Sequence, residues 1–353
     1  MKTSVLIIFL FFCSAAFTQD KEAAEKLVKE GVAFHDKDEF DSAIAKYDQA
    51  LQLDKDNLAA LAEKAVTLVS LQKYDESIKT CQKAIETHAG EKDLNIVYVS
   101  YGNATDALGK TDQSIKIYDQ GIKLFPDYYQ LYFNKGIALI GMKRYDDAMQ
   151  CFQKSVMINP EHPGSHNAIA RISNLSDKKI PSLLAYGRFL SVEPTSTRAK
   201  ENLASMQKII KGNAEKTGDK SITINLSTDM VNGATKKGKP KENDFSMTEM
   251  ILSLSSALDY DDKFKDQKEV ERFIRKFEGV CSSLKEKNKN YGFFWEYYVP
   301  YFVEMKDKGF TETFAYIAFA TSEDPAVTDW LKSHQAELEK FSEWSSNFAW
   351  KSK

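Results

Sequence analysis

Residues 129–162 read YQLYFNKGIALIGMKRYDDAMQCFQKSVMINPEH, and this stretch decides the fold. Tyr132, Gly136 and Leu139 are spaced four and three apart. After a polar break, Ala148, Phe152 and Ser155 repeat that spacing. Such intervals hold three residues on one stripe of a helix, so the stretch reads as two amphipathic helices. Tyr145 sits at the turn between them. Pro160 stands where the second helix cannot continue.

Working outward, the pattern recurs along the N-terminal half. Gly31, Ala65, Gly136 and Ala170 fill the same small-residue slot, and Gly102 fills it after a three-residue insertion. The spacing is 34 residues, and 37 across the insertion, which is the period of a solenoid of helix pairs. The units run 24–57, 58–91, 95–128, 129–162 and 163–196. The first is marked by Leu27, Gly31, Phe34, then Ala43, Tyr47, Ala50. The second has Leu61, Ala65, Leu68, then Ser77, Cys81, Ala84. The third has Tyr98, Gly102, Thr105, then Ser114, Tyr118, Gly121. The fifth, the most degenerate, has His166, Ala170, Ser173, then Ser182, Tyr186, Phe189. Small residues let paired helices approach, and aromatics fill the space beside them. Phe40 and Tyr74 repeat the turn position of Tyr145, and Pro126 and Pro194 repeat the stop at Pro160.

This pattern resembles the tetratricopeptide repeat family over residues 24–196. Lys55 and Ala89 replace the family's proline, and residues 88–94 carry an insertion. Residues 197–211, with Ala199, Leu203, Met206, Ile209 and Ile210, read as a capping helix that shields the last repeat. The expected fold is therefore all-α: a right-handed helix-pair solenoid of five repeats plus a cap, followed by a helical C-terminal bundle. The resemblance implies a protein-interaction scaffold whose first helices line a concave face. It places Val66, Val69, Val99, Asn103, Asp106, Phe133, Ile137, Ile140, Asn167 and Arg171 in that groove as partner-binding candidates. Val28 and Val32 stand at the lead positions where chaperone-binding members hold a terminal carboxylate, so that activity does not carry over. An apolar strip of this length either packs between repeats or receives a helix, from a partner or from this chain.

Residues 1–18 read as a signal peptide: Lys2, an apolar run from Val5 to Phe12, then small residues, with cleavage after Ala16-Phe17-Thr18 to leave Gln19, or after Ser14-Ala15-Ala16 as the nearby alternative. A retained N-terminal anchor is the alternative. The run is short for a membrane span, and no span is expected in the mature chain. Its loss removes one of 48 basic residues, leaving 47 against 51 acidic, a net charge of −4. That balance argues against a nucleic-acid partner. Of the four cysteines, Cys13 falls within residues 1–18; Cys81, Cys151 and Cys281, the odd and widely spaced set that the mature chain keeps, read as buried thiols rather than a disulfide framework.

The assigned organisation is signal peptide 1–18, solenoid with cap 19–212, linker 213–244 and helical domain 245–353. In the linker, Ser221–Ser227 alternates like a strand, with a hairpin, strand addition to another chain or irregular backbone all open. Gly233, Gly238 and Lys239 imitate a phosphate-binding loop, but Pro240 stands where a hydroxyl must bind magnesium, so a basic tether is the reading. In the C-terminal half, Ser246 and Glu249 form a helix-start box, and Met250, Ile251, Leu254 and Leu258 form one face. Val270, Phe273, Ile274, Phe277, Val280, Cys281 and Leu284 form a second stripe. The dense aromatics from Tyr291 to Phe302 read as core rather than as a stacking platform. Pro300 is expected to kink or split its helix. Asp324-Pro325 starts the last helix, with Val327, Leu331, Leu338, Phe341 and Phe348 inward.

The five histidines show no zinc-protease spacing; His162 and His166 read as surface residues. No cofactor, metal or catalytic residue is assigned. The expected function is an exported scaffold, in the periplasm, cell envelope or outside the cell, that binds a protein or peptide segment. Two alternatives stay open. One is an enzyme with its site in the C-terminal half, gathering Glu296, Tyr297 and Asp307. The other is a homo-oligomer whose groove holds its own or a neighbour's helix.

Overall fold

Five residues in a left-handed backbone conformation mark the turns inside five helix pairs: Asp38, Gln72, Gly109, Lys143 and Asp177. Their spacings of 34, 37, 34 and 34 reproduce the repeat and its insertion. In each turn the next amide donates back into the first helix: Glu39 N to Phe34 O, Lys73 N to Leu68 O, Lys110 N to Thr105 O, Arg144 N to Leu139 O and Lys178 N to Ser173 O. A left-handed residue that returns amides to the last carbonyls is how a helix ends sharply enough to reverse.

The computed structural model describes residues 5–218, 221–226, 231, 241–285 and 291–351, with side chains from residue 20 onward. The repeat pairs are α1 (Val5–His35) with α2 (Phe40–Leu53), α3 (Leu58–Ser70) with α4 (Tyr74–Thr87), and α5 (Leu94–Ala107) with α6 (Thr111–Leu124). The fourth and fifth are α7 (Tyr129–Gly141) with α8 (Tyr145–Ile158) and α9 (Pro163–Leu175) with α10 (Lys179–Val192), and the cap is α11 (Thr197–Lys211). Phe40, Tyr74 and Tyr145 each begin the second helix, while Pro126, Pro160 and Pro194 fall just beyond its end.

Two short strands follow, β1 (Ala214–Gly218) and β2 (Ser221–Ile224), paired antiparallel with a bulge between Lys216 and Gly218. The strand partner is thus residues 214–218, and of the open readings antiparallel pairing within the segment is the outcome. The remaining helices are α12 (Ser246–Ala257), α13 (Glu269–Ser283), α14 (Phe293–Asp307), α15 (Thr311–Ala318), α16 (Pro325–Ser333) and α17 (Gln335–Ser346). The Gly233–Lys239 loop and Pro240 lie outside the described residues. Among the described residues, no helix is long and apolar enough to cross a membrane.

Contacts gather the chain into two compact units, Met1–Cys151 and Phe152–Lys353. In the first unit the small slots are filled from across each pair. A Cβ on Gly31 would lie 2.4 Å from Tyr47 Cε1, and one on Gly102 would lie 2.2 Å from Tyr118 Cε1. Both distances are too short for any side chain, so glycine is required there while the tyrosine stands. Matching ion pairs join successive repeats: Lys64 Nζ to Asp48 Oδ1 at 2.5 Å and Lys135 Nζ to Asp119 Oδ1 at 2.5 Å.

The second unit is organised around α10. Every residue from Ile180 to Leu190 is buried, Arg188 included. Helices α9, α11, α12, α14 and α15 touch it. A helix apolar on all sides needs neighbours on all sides. Gly187 lets α14 and α15 close in, since a Cβ there would sit 2.9 Å from Phe302 Cζ and 3.3 Å from Phe314 Cζ.

Several expectations are corrected here. Helix α12 begins at Ser246, but Glu249 forms no box. Asp244 Oδ1 accepts from the Ser246 amide at 3.0 Å instead, because it lies nearer the first orphan amides. The buried face of α12 is Thr248, Leu252, Ser253 and Ser256, leaving Leu254 and Leu258 exposed. Of the two outcomes expected at Pro300, the split does not occur: α14 runs through it unbroken, with Pro300 exposed. The segment after Asp324 is two helices, broken at His334, whose ring stacks on Trp330 at 4.1 Å between centroids. His166 is fully buried rather than on the surface.

Candidate protein-interaction surface

The expected groove residues of the first unit lie on its first helices: Val66 and Val69 on α3, Val99, Asn103 and Asp106 on α5, and Phe133, Ile137 and Ile140 on α7. All are half-buried except Ile137, which is 45 % exposed. These valines and isoleucines share helices with fully buried neighbours: Leu61, Ala65 and Leu68 on α3, Val97 and Tyr98 on α5, Leu131 and Leu139 on α7. Each first helix therefore carries a core stripe and, beside it, an apolar stripe in contact with water. Val28, at the lead clamp position, is 7 % exposed.

Polar groups interrupt the row. Asn103 Oδ1 accepts a hydrogen bond from the Tyr118 hydroxyl at 2.7 Å, which fixes the amide's orientation. Burial, with the Asp106 carboxylate nearby, pushes the Tyr118 phenol well above its usual range, so it remains a donor. In the second unit, Asn167 and Arg171 lie on α9. Arg171 is exposed, and Asn167 Oδ1 is a buried acceptor with no partner among the described residues.

A second constellation lies wholly within the second unit. Tyr297 donates to Val156 O at 2.7 Å, and His166 Nδ1 meets the Tyr298 hydroxyl at 2.7 Å. Arg188 Nη1 donates to Ser345 Oγ at 2.8 Å, and its Nη2 pairs with Glu161. The Arg188 guanidinium lies 5.1 Å from the Tyr301 ring centre and 5.0 Å from that of Trp350. Buried arginine survives here because ring faces and an ion pair replace its hydration. Reading the repeats alone misses Arg188. The signal that finds it is the lack of a polar face in IPSLLAYGRFL, residues 180–190.

The aromatics of α14 belong to this packing. Tyr301 stacks on Trp344 and Trp350, and Phe302 meets Phe277 edge-on. The trio Glu296, Tyr297 and Asp307 is not brought together: Glu296 pairs with Lys351 at 2.6 Å, Tyr297 with Val156, and Asp307 with Lys285. Cys81, Cys151 and Cys281 are free and buried.

Tetratricopeptide repeat family models match residues 34–95, 97–128 and 129–162, so this stretch is built of such repeats. Among curated proteins, the chain is 27% identical over 155 residues to the Protein STIP1 homolog of Dictyostelium discoideum, covering 35% of this chain and 28% of that protein. It is 25% identical over 225 residues to the Hsp70-Hsp90 organizing protein of Triticum aestivum, covering 64% of this chain and 37% of that protein. The chain thus spans well under half of either relative. Among solved structures, the PilF protein of Pseudomonas aeruginosa aligns with a TM-score of 0.48 and 18% identity, over 55% of this chain and 85% of its own.

Proposed function

We propose that this chain is an exported protein-interaction scaffold that binds a partner segment along the first helices of its repeats. The observation that carries the reading is a row of half-buried apolar side chains on α3, α5 and α7 that ends in Ile137, 45 % exposed on α7. Within the first unit, Val66, Val69, Val99, Phe133, Ile137 and Ile140 supply apolar anchors, and Asn103 and Asp106 supply register through hydrogen bonds; Asn167 and Arg171 are the candidates that the second unit offers on α9. An apolar row with sparse polar interruptions suits an amphipathic helix or extended segment better than a charged tail. One of the curated relatives named above is by name an Hsp70-Hsp90 organizing protein, which supports the scaffold class. Val28, buried where a clamp would need a polar head, speaks against capture of a terminal carboxylate. The sequence of residues 1–18 supports export, with the periplasm or envelope as the destination.

The test is site-specific photo-crosslinking in producing cells. A crosslinker at Ile137 should yield a discrete adduct to one protein, absent when it is placed at exposed Lys116 on α6. Ile137→Asp, with its thermal melting unchanged, should then abolish co-purification of that protein. Equal adducts from both positions, or no effect of Ile137→Asp, would remove the groove from the proposal. Cell fractionation of the full chain checks export: retention in the cytoplasm with residues 1–18 uncleaved counts against it.

A further inference from the structure

The second unit contains a cavity of about 630 Å³ that the scaffold reading does not use. Its walls come from α11, from the single turn Leu258–Tyr260 after α12, from α13, and from Phe319 just beyond α15. Four cations line it: Lys208 and Lys211 from α11, Arg272 and Lys276 from α13. Two carboxylates, Asp259 and Glu269, also reach it.

The charges do not balance. Asp259 is committed to two cations at once, pairing with Lys276 Nζ and with Arg275 Nη2, the latter at 2.5 Å. Lys276 is 2 % exposed, so an excess positive charge is held beside the cavity with little water to screen it. Arg272 sends Nη2 to Lys265 O at 3.0 Å, yet its Nε is buried with no partner among the described residues. Lys208 and Lys211 are exposed at the wall and have no ion-pair partner among the described residues. Glu269 is exposed, in the first turn of α13. A buried donor without an acceptor and a buried surplus of positive charge are both costs that an anion would relieve.

The rest of the lining fixes the size and polarity of the guest. Phe273 and Phe319 are each 2 % exposed and Ile210 is 4 %, giving an apolar floor. Tyr260 is held in place by its hydroxyl, which donates to Ala214 O at 3.1 Å. The volume is that of a small organic ligand rather than of a bare oxyanion. We infer that this cavity binds a phosphate monoester with an apolar or aromatic body: the dianion meets Arg272, Lys276 and the two α11 lysines, and the body lies over Phe273 and Phe319. Two extra cations match the two charges of a monoester near neutral pH, and arginine's planar fork suits phosphate oxygens. The same headgroup chemistry is found in free metabolites and on membrane lipids, and the cavity fits the free form because its apolar floor of Phe273, Phe319 and Ile210 is buried rather than presented on the surface.

Calorimetric titration of the full chain tests this with phenyl phosphate, phenol and inorganic phosphate. Phenyl phosphate should bind at sub-millimolar concentration, inorganic phosphate more weakly, and phenol not at all. Lys208→Gln combined with Lys211→Gln changes only exposed side chains. It should weaken phenyl phosphate about tenfold or more without moving the melting temperature. Arg272→Gln should weaken it independently. Absence of binding at millimolar phenyl phosphate, equal binding of phenol, or unchanged affinity in the double variant would each overturn the assignment. So would lysine-dependent sedimentation with phosphatidylglycerol vesicles and no response to phenyl phosphate, since the site would then read a membrane surface.

Discussion

His166 Nδ1 lies 2.7 Å from the Tyr298 hydroxyl, while its Nε2 lies 2.9 Å from Pro160 O. A carbonyl only accepts, so Nε2 carries the proton and Nδ1 receives the hydrogen bond from Tyr298. Burial, helped by the Arg188 cation, holds this imidazole neutral, with its pKa pushed down to about 3. One ring thus links the start of the fifth repeat to the aromatic helix α14, and both partners fix its tautomer.

An acid dependence follows. The folded pKa is about 3 and the unfolded one about 6.5, so the unfolded chain binds more protons between them. Stability from a neutral His166 is complete above about pH 6.5 and declines as pH falls toward 3, by up to a few kcal/mol. In urea melts at about pH 7.5 and about pH 4.5, His166→Gln should lose less stability on acidification than the wild type. Identical pH slopes for the two chains would contradict this.

Glu249 should behave in the opposite sense. Burial pushes its carboxyl up to about 7, against the pull of Lys179 and with added repulsion from Asp177 and Asp244. A carboxyl raised in the folded state contributes stability that is present below its unfolded value and lost as pH rises through about 7. Glu249→Gln should therefore melt above the wild type at about pH 8.5, by roughly 1 kcal/mol after allowing for solvent, and show no such gain near pH 5. A gain of the same size at both values would point to some other cause.

The pairing of Gly102 with Tyr118, set beside Ala65 and Cys81 at the equivalent positions of the second repeat, predicts a size exchange. Gly102→Ala drives a methyl into the Tyr118 ring and should cost about 1–3 kcal/mol. Tyr118→Cys, which copies the second repeat, leaves a cavity and costs more. The double variant should cost less than the two losses added together, with a coupling of about 1 kcal/mol or more by chemical denaturation. Strict additivity would mean that the slot and the ring are not in contact in solution.

Gly187→Val tests the packing of α14 and α15 on α10. The new side chain meets Phe302 and Phe314 and should destabilise by about 1–3 kcal/mol, despite the helix propensity gained over glycine. Phe302→Leu in the same chain should recover part of the loss. A Gly187→Val chain as stable as the wild type would show that α10 has room on that side.

The solenoid is legible because its signals are local. Gly31, Gly102, Pro126 and Pro160 act through backbone geometry and near-neighbour packing, and a period of 34 residues repeats them until chance is excluded. The candidate groove is legible only by analogy. Periodicity shows that Ile137 and Leu139 sit on different faces of α7, but which face meets water depends on what packs there. The face of α12 escapes a local reading for the same reason: Leu254 and Leu258 are as apolar as Leu252, yet of the three only Leu252 is buried.

The chain's residue spacing alone determined the helix pairs, their turns, the capping helix and the burial of Phe273, Phe277, Val280 and Cys281 on one stripe. Tertiary structure alone decided that Arg188 rests between Tyr301 and Trp350, that His166 meets Tyr298 across 132 residues, and that four cations surround one cavity. The reason is one of range. Helical propensity and amphipathic period act over a few residues and can be read along the chain. The partner of a buried polar side chain is set by whichever distant element replaces its lost water, and no local pattern specifies that element.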